Sequence, residues 1–180
     1  MTLTELLETV PAYAKDLKLN FSALIQQTEL NQQQIWGTVV ASAIGSRNAE
    51  LTQAVLAEAA QRLSPQALEA AKGAAAIMGM NNVYYRFMHH LTTNENYRSI
   101  PARLRMNVIR THGVDQADFE LWCAAVSSIK GCAACVDSHE RVVREKGLNE
   151  QAILAAIRIA AVVHGLATVF DAEKPAAIGA

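Results

Sequence analysis

The sequence predicts an all-α fold, and three observations carry that expectation. Alanine supplies 32 of the 180 residues, against 9 glycines and 4 prolines, and alanine loses the least on entering a helix while letting helices pack closely. Apolar residues recur at three- and four-residue steps along most of the chain, which is the period of one helix face. No segment alternates apolar and polar residues in the manner of a half-buried strand.

The elements follow in order. Leu3, Leu6, Leu7 and Val10 mark a first helix that Pro11 ends, and Tyr13, Leu17 and the stretch Leu19–Ser22 mark a second short one followed by a turn. Asn31 reads as the N-cap of a helix running to about Gly45. Ser64-Pro65, a cap followed by a first-turn proline, opens an alanine-rich helix through Met80 or beyond. Asn94–Pro101 is loop-like. Asp115 or Asp118 caps the next helix, which breaks near Lys130-Gly131. A further helix runs from Cys132 to Lys146, with Gly147 just past its end. Asn149 caps a last long helix to about Asp171, leaving Ala172–Ala180 as a tail.

The chain also resembles itself. Ile35-Trp36-Gly37 aligns with Leu121-Trp122-Cys123 at an offset of 86, which also sets Gly45 on Gly131; after a one-residue slip, Gln66–Ala71 aligns with Gln151–Ala156. We therefore expect one domain over residues 1–180, built from two similar helical halves at about 31–90 and 117–171. The same offset places Glu120 opposite Gln34, Cys132 opposite Ser46, Cys135 opposite Ala49 and His139 opposite Gln53. Ionisable and thiol groups stand at these positions only in the second copy, so the C-terminal half alone is expected to carry the active site.

Composition narrows the function. Hydrophobic residues make up 51% and charged ones 18%, below the roughly 25% usual for soluble domains, which excludes a disordered chain. A net charge of −1 without blocks of like charge gives no footprint for nucleic acid. The longest apolar runs, Gly73–Tyr85 and Ile159–Phe170, fall short of a bilayer span, and no stretch has the pattern of a signal peptide; a cytoplasmic protein without a membrane partner is expected. Of the three cysteines, Cys132 and Cys135 form a C-x-x-C pair and Cys123 stands apart, which is no disulfide scaffold but fits redox chemistry or metal binding in a reducing compartment.

Glu120, Cys132, Cys135 and His139 form the candidate site. In a helix Cys132, Cys135 and His139 share one face, close enough for the two sulfurs to pair. A helix starting at Gly131 puts Cys132 in the first turn, where free N–H groups and the dipole favour a thiolate. His139 is able to exchange protons near neutral pH, and Glu120, on the preceding helix, to polarise that path. Zinc would nominally find four ligands by adding Cys123, but that residue falls in the middle of another helix. Metal binding and a non-catalytic helical oligomer with packed cysteines are the alternatives to thiol–disulfide exchange. His89, His90 and His112 read as surface or interface residues, and Trp36 and Trp122 as core anchors.

These residues also carry a family resemblance. The run Ala74–Arg86 (AAAIMGMNNVYYR), the segment Phe119-Glu120-Leu121-Trp122 followed by the C-x-x-C and His139-Glu140, and the opening Pro11–Asn20 (PAYAKDLKLN) resemble the alkyl hydroperoxidase D family, in the carboxymuconolactone decarboxylase-like superfamily. The resemblance implies an all-helical, trimeric antioxidant enzyme with no bound cofactor or metal. Such an enzyme reduces the oxidised peroxiredoxin alkyl hydroperoxide reductase C and, weakly, alkyl hydroperoxides themselves. It implies electrons from dihydrolipoyl groups on a lipoyl-bearing protein, supplied through dihydrolipoamide dehydrogenase from NADH. Carried over, Cys135 is the sulfur that reacts, Cys132 closes the Cys132–Cys135 redox disulfide, and Glu120 and His139 relay protons. Helix-end placement favours Cys132 as thiolate and the resemblance favours Cys135 as the reacting sulfur; both hold if His139 activates Cys135. Some relatives have histidine directly before the second cysteine, where this chain has Ala134.

Overall fold

A computed structural model describes residues 1–174, and all regular structure in them is helical. The helices are α1 (Leu3–Glu8), α2 (Lys15–Leu24), α3 (Gln32–Ser46), α4 (Ala49–Ala59), α5 (Pro65–His90), α6 (Val108–Thr111), α7 (Gln116–Lys130), α8 (Ala133–Glu145) and α9 (Glu150–Ala172), with 3₁₀ turns at Ala12–Ala14 and Glu95–Ser99. Most of the expected tail, Ala172–Ala180, lies outside the described residues.

Side-chain caps set the starts of the long helices. Asn31 accepts from the Gln34 N–H while Gln34 reaches back to the Asn31 N–H, a reciprocal capping box on α3. Ser64 caps α5 ahead of Pro65, Asp115 caps α7, and Asn149 caps α9; losing such a cap costs about 1 kcal/mol. Asp118, the other candidate cap for α7, is instead buried and accepts from the side-chain amides of Gln33 (2.7 Å) and Gln34 (2.8 Å). That pair of bonds ties α7 to the start of α3.

Helices α3 and α7 form the centre. Both are apolar nearly all round and buried from Ile35 to Val40 and from Ala117 to Ser127, as befits helices walled in on every side. They cross at Gly37, where an added Cβ would land inside the Trp122 indole; only a glycine admits that approach. Trp122 Nε1 donates to the Gln34 carbonyl at 3.3 Å. Around this pair α5 and α9 each touch both α3 and α7, α4 packs on α3, and α8 packs on α7. The apolar run at Ile159–Phe170 lies within the long last helix that the sequence predicts: α9 is long and apolar enough to span a bilayer by length and composition, yet 56% of its most apolar window is buried inside the protein.

The helix starts do not follow the 86-residue offset that the tryptophans suggested. The caps Asn31 and Asp115, and Asn48 and Cys132, each lie 84 positions apart, and Ser64 and Asn149 lie 85 apart. Gly45 is a buried residue inside α3, whereas Gly131 closes α7 in the left-handed region at φ 67°; its counterpart at the end of α3 is Arg47, also at φ 67°. Trp36 and Trp122 are not equivalent either, since Trp122 lies over Gly37 while Trp36 lies under the Arg62 guanidinium, 4.7 Å from the ring centre.

Candidate functional site

The junction of α7 and α8 builds the site. Gly131 turns the chain, and the Cys132 N–H then bonds back to the Ser127 carbonyl at 3.1 Å, a Schellman closure of α7. Cys132 is consequently the N-cap of α8 and not a first-turn residue, with φ −96° and ψ 89° and no side-chain cap bond. Cys132 and Cys135 are joined as a disulfide, their Cα atoms 5.3 Å apart. Cys132 is fully buried, whereas Cys135 lines a cavity of about 340 Å³.

Glu120 and His139 meet beside that cavity. Glu120 comes from the middle of α7 and is only 5% exposed. Its Oε2 lies 2.5 Å from His139 Nδ1, and its Oε1 accepts from Gln116 Nε2 at 2.6 Å. The other ring nitrogen of His139, Nε2, lies 3.1 Å from the sulfur of Met78, a fully buried residue of α5. Both ring nitrogens thus face acceptors, and the ring is held between α7 and α5. Gln116 Oε1 lies 3.2 Å from His112 Nε2, and the His112 ring stacks on Phe119 with centroids 4.2 Å apart. His112 is accordingly half-buried in a chain of contacts, His112–Gln116–Glu120–His139, and not a surface residue. The four-residue steps from 112 to 116 to 120 were the available sequence signal. Met78, on another helix, left none.

The cavity lining includes polar side chains, those of Cys135, Ser138, His139, Glu120 and Asn81. Tyr85, Met106, Ile109 and Val142 supply bulkier, mainly apolar surface to the same lining. Ala134 also lines it. Cys123 lies apart in the core of α7, and burial, reinforced by the Glu120 charge, pushes its thiol well above the ordinary range; it stays a protonated, packed side chain. Burial together with Arg47 and Arg86 lowers the Lys130 pKa at the end of α7. Among the described residues no group of three or more His, Cys, Asp or Glu side chains is placed to hold a metal ion.

An all-helical chain with a paired C-x-x-C at the start of one helix and a Glu–His contact beside it defines a class of helical proteins, and residues 96–177 match the model of the carboxymuconolactone decarboxylase family. Closer relatives refine that. Over 173 residues, 96% of this chain and 97% of the relative, the sequence is 61% identical to the alkyl hydroperoxide reductase AhpD of Solibacter usitatus. It is also 61% identical to the AhpD of Acidobacterium capsulatum, over 97% of this chain and 95% of that one. The identity to the AhpD of Gluconacetobacter diazotrophicus is 56%, over 95% and 93%. The chain belongs to the alkyl hydroperoxide reductase AhpD family.

Proposed function

We propose that this protein is a thiol–disulfide oxidoreductase that removes peroxides, using Cys132 and Cys135 as its redox centre. The observation that carries the proposal is the placement of Cys135, paired with a buried sulfur and opening on a cavity that also holds His139 and Glu120. The printed name of its relatives, alkyl hydroperoxide reductase, supports the peroxide as oxidant.

In the reduced protein the Cys135 thiolate attacks the terminal oxygen of a hydroperoxide. An S–O bond forms and the O–O bond breaks; sulfur loses two electrons and becomes a sulfenic acid, and the alkoxide takes a proton and leaves as the alcohol. The Cys132 thiol then attacks the sulfenic sulfur, the S–S bond closes, and water leaves. Cys135 is the reacting sulfur because it faces the cavity; Cys132 resolves from behind. Glu120 orients His139 through Nδ1, so the pair is placed to deliver and take back the protons.

The same sulfur pair would exchange with the disulfide of a peroxiredoxin, alkyl hydroperoxide reductase C. Dihydrolipoyl groups on a lipoyl-bearing protein would reduce it, recharged by dihydrolipoamide dehydrogenase; they are co-substrates, and no cofactor resides in the protein. We further propose a homotrimer in the cytoplasm. Val83, Tyr85, Phe87, Tyr97 and Ile100 are exposed along the end of α5 and the segment after it, an apolar surface of the kind that subunit contacts cover. The test is NADH oxidation in a reconstituted lipoyl system, with and without peroxiredoxin. Peroxide-dependent turnover that requires both cysteines supports the proposal, and its absence overturns it.

A further inference from the structure

Asn81 lies on α5 one turn before Tyr85 and lines the same cavity as Cys135. It is only 5% exposed, and its Oδ1 has no hydrogen-bond partner. Other buried side-chain atoms lack partners as well, Asn82 Oδ1 among them, but none belongs to another residue lining this cavity. Asn82 is also held from its amide side, which donates to Ser127 Oγ at 2.9 Å. An unpaired amide in a water-poor place is unfavourable, and this one belongs to a residue that shares a cavity with Cys135. We infer that Asn81 is the anchor for the hydroperoxide group, holding the –O–O–H of the substrate by a hydrogen bond while its alkyl part lies against Tyr85, Met106 and Ile109.

This inference rests on the thiol-peroxidase function proposed above and says which of its substrates the cavity reads. A carboxamide offers one acceptor and two donors, and a half-turn about its last bond exchanges them. A hydroperoxide has a strong O–H donor next to oxygens that accept, so it satisfies whichever atom faces the cavity. A dithiol does not, because thiols are weak donors and weak acceptors. Asn81 therefore favours the oxidising half-reaction, in which Cys135 takes the terminal oxygen and the alcohol departs, over the reducing one, in which a dithiol opens the disulfide.

The experiment measures the two half-reactions separately in the whole protein. Pre-reduced protein is mixed with cumene hydroperoxide and closure of the disulfide is followed in a single turnover; oxidised protein is mixed with dihydrolipoamide and its opening is followed. Asn81→Leu keeps the size and removes the hydrogen bond, and Asn81→Ala serves if leucine disturbs α5. Oxidation by low hydroperoxide is expected to slow about tenfold, the effect of one unmade hydrogen bond, while reduction by dihydrolipoamide stays within about twofold of wild type. Both rates unchanged, or both falling together, overturns the assignment. Wild-type protein that performs neither half-reaction overturns the function itself, whereas wild type performing both with no split in the variants removes Asn81 alone.

Discussion

Replacing Glu120 with glutamine separates charge from shape at the site. The carboxylate accepts two bonds, from Gln116 at 2.6 Å and at 2.5 Å from His139. Bonds to a charged group contribute roughly 1.5–3 kcal/mol and neutral ones about 0.5–1.5, and burying a carboxylate is itself unfavourable. The two effects oppose, so a net loss of about 1–2 kcal/mol is expected, a fall in Tm of roughly 2–8 °C for a chain this size. The protein stays folded. The chemical consequence is larger. A carboxamide has one acceptor where the carboxylate had two, so its NH₂ must point at either Gln116 or His139. Facing His139, it forces Nδ1 to accept, and the ring loses both its orientation and the charge that stabilises its protonated form. Proton transfer by a positioned side chain contributes roughly 10²–10⁴-fold, so turnover in the reconstituted NADH assay should fall at least tenfold, with one limb of the pH–rate profile lost. Circular dichroism and light scattering should match wild type. A variant that turns over at the wild-type rate with an unchanged profile refutes the relay, and proton traffic would have to run through His139 and water.

Cys132→Ser and Cys135→Ser should each abolish lipoyl-linked turnover, because exchange needs both sulfurs, while Cys123→Ser should leave it nearly intact; an essential Cys123 in steady-state kinetics would contradict the assigned pair. Because burial raises the Cys123 thiol in the folded state, the unfolded chain loses that proton first, so this group's stabilising effect is complete below about pH 9 and declines above it, by at most about 1.4 kcal/mol per pH unit. Denaturant melts of wild type and Cys123→Ala should diverge in their pH slope only above that point, and parallel slopes would count against it. Gly37→Ala should destabilise by about 1–3 kcal/mol through overpacking against Trp122, read as a lower urea midpoint; an unchanged midpoint would mean the α3–α7 crossing is loose. Light scattering at micromolar concentration should report more than one subunit, and a mass near 19.5 kDa would count against the trimer.

Element type and most boundaries were legible because they depend on local chemistry. Asn31, Ser64, Asp115 and Asn149 cap the helices they seemed to cap, and Gly131 and Gly147 take the positive φ that ends α7 and α8. Glu95–Ser99, which read as loop, holds a 3₁₀ turn with no buried residue, too short and too exposed for a periodic signal. What local chemistry does not encode is which side chains meet across helices. Glu120 and His139 were singled out by the comparison of the two halves, but Met78 and Asn81 come to the cavity region through the packing of α5 on α7 and α8. No spacing along the chain expresses that. The register error has the same origin: tryptophans are conspicuous in a sequence, whereas the caps define where a helix begins.

Set side by side by their caps, α3–α4 and α7–α8 differ where the candidate site lies. Asn48 caps α4, its side chain accepting from the Leu51 N–H; at the equivalent place Cys132 precedes α8 with no such bond. A lost cap costs about 1 kcal/mol, and it leaves first-turn N–H groups free beside a sulfur pair, where they favour a thiolate. At the same offset Leu51 corresponds to Cys135, Val55 to His139 and Trp36 to Glu120. Leu51, Val55 and Trp36 are all buried in the core. The positions that fill the interior of one half thus carry sulfur, imidazole and carboxylate in the other, and a cavity stands where those polar groups converge. Helices α5 and α9 each pack on both α3 and α7, so the apolar half supports the polar one across the centre of the molecule.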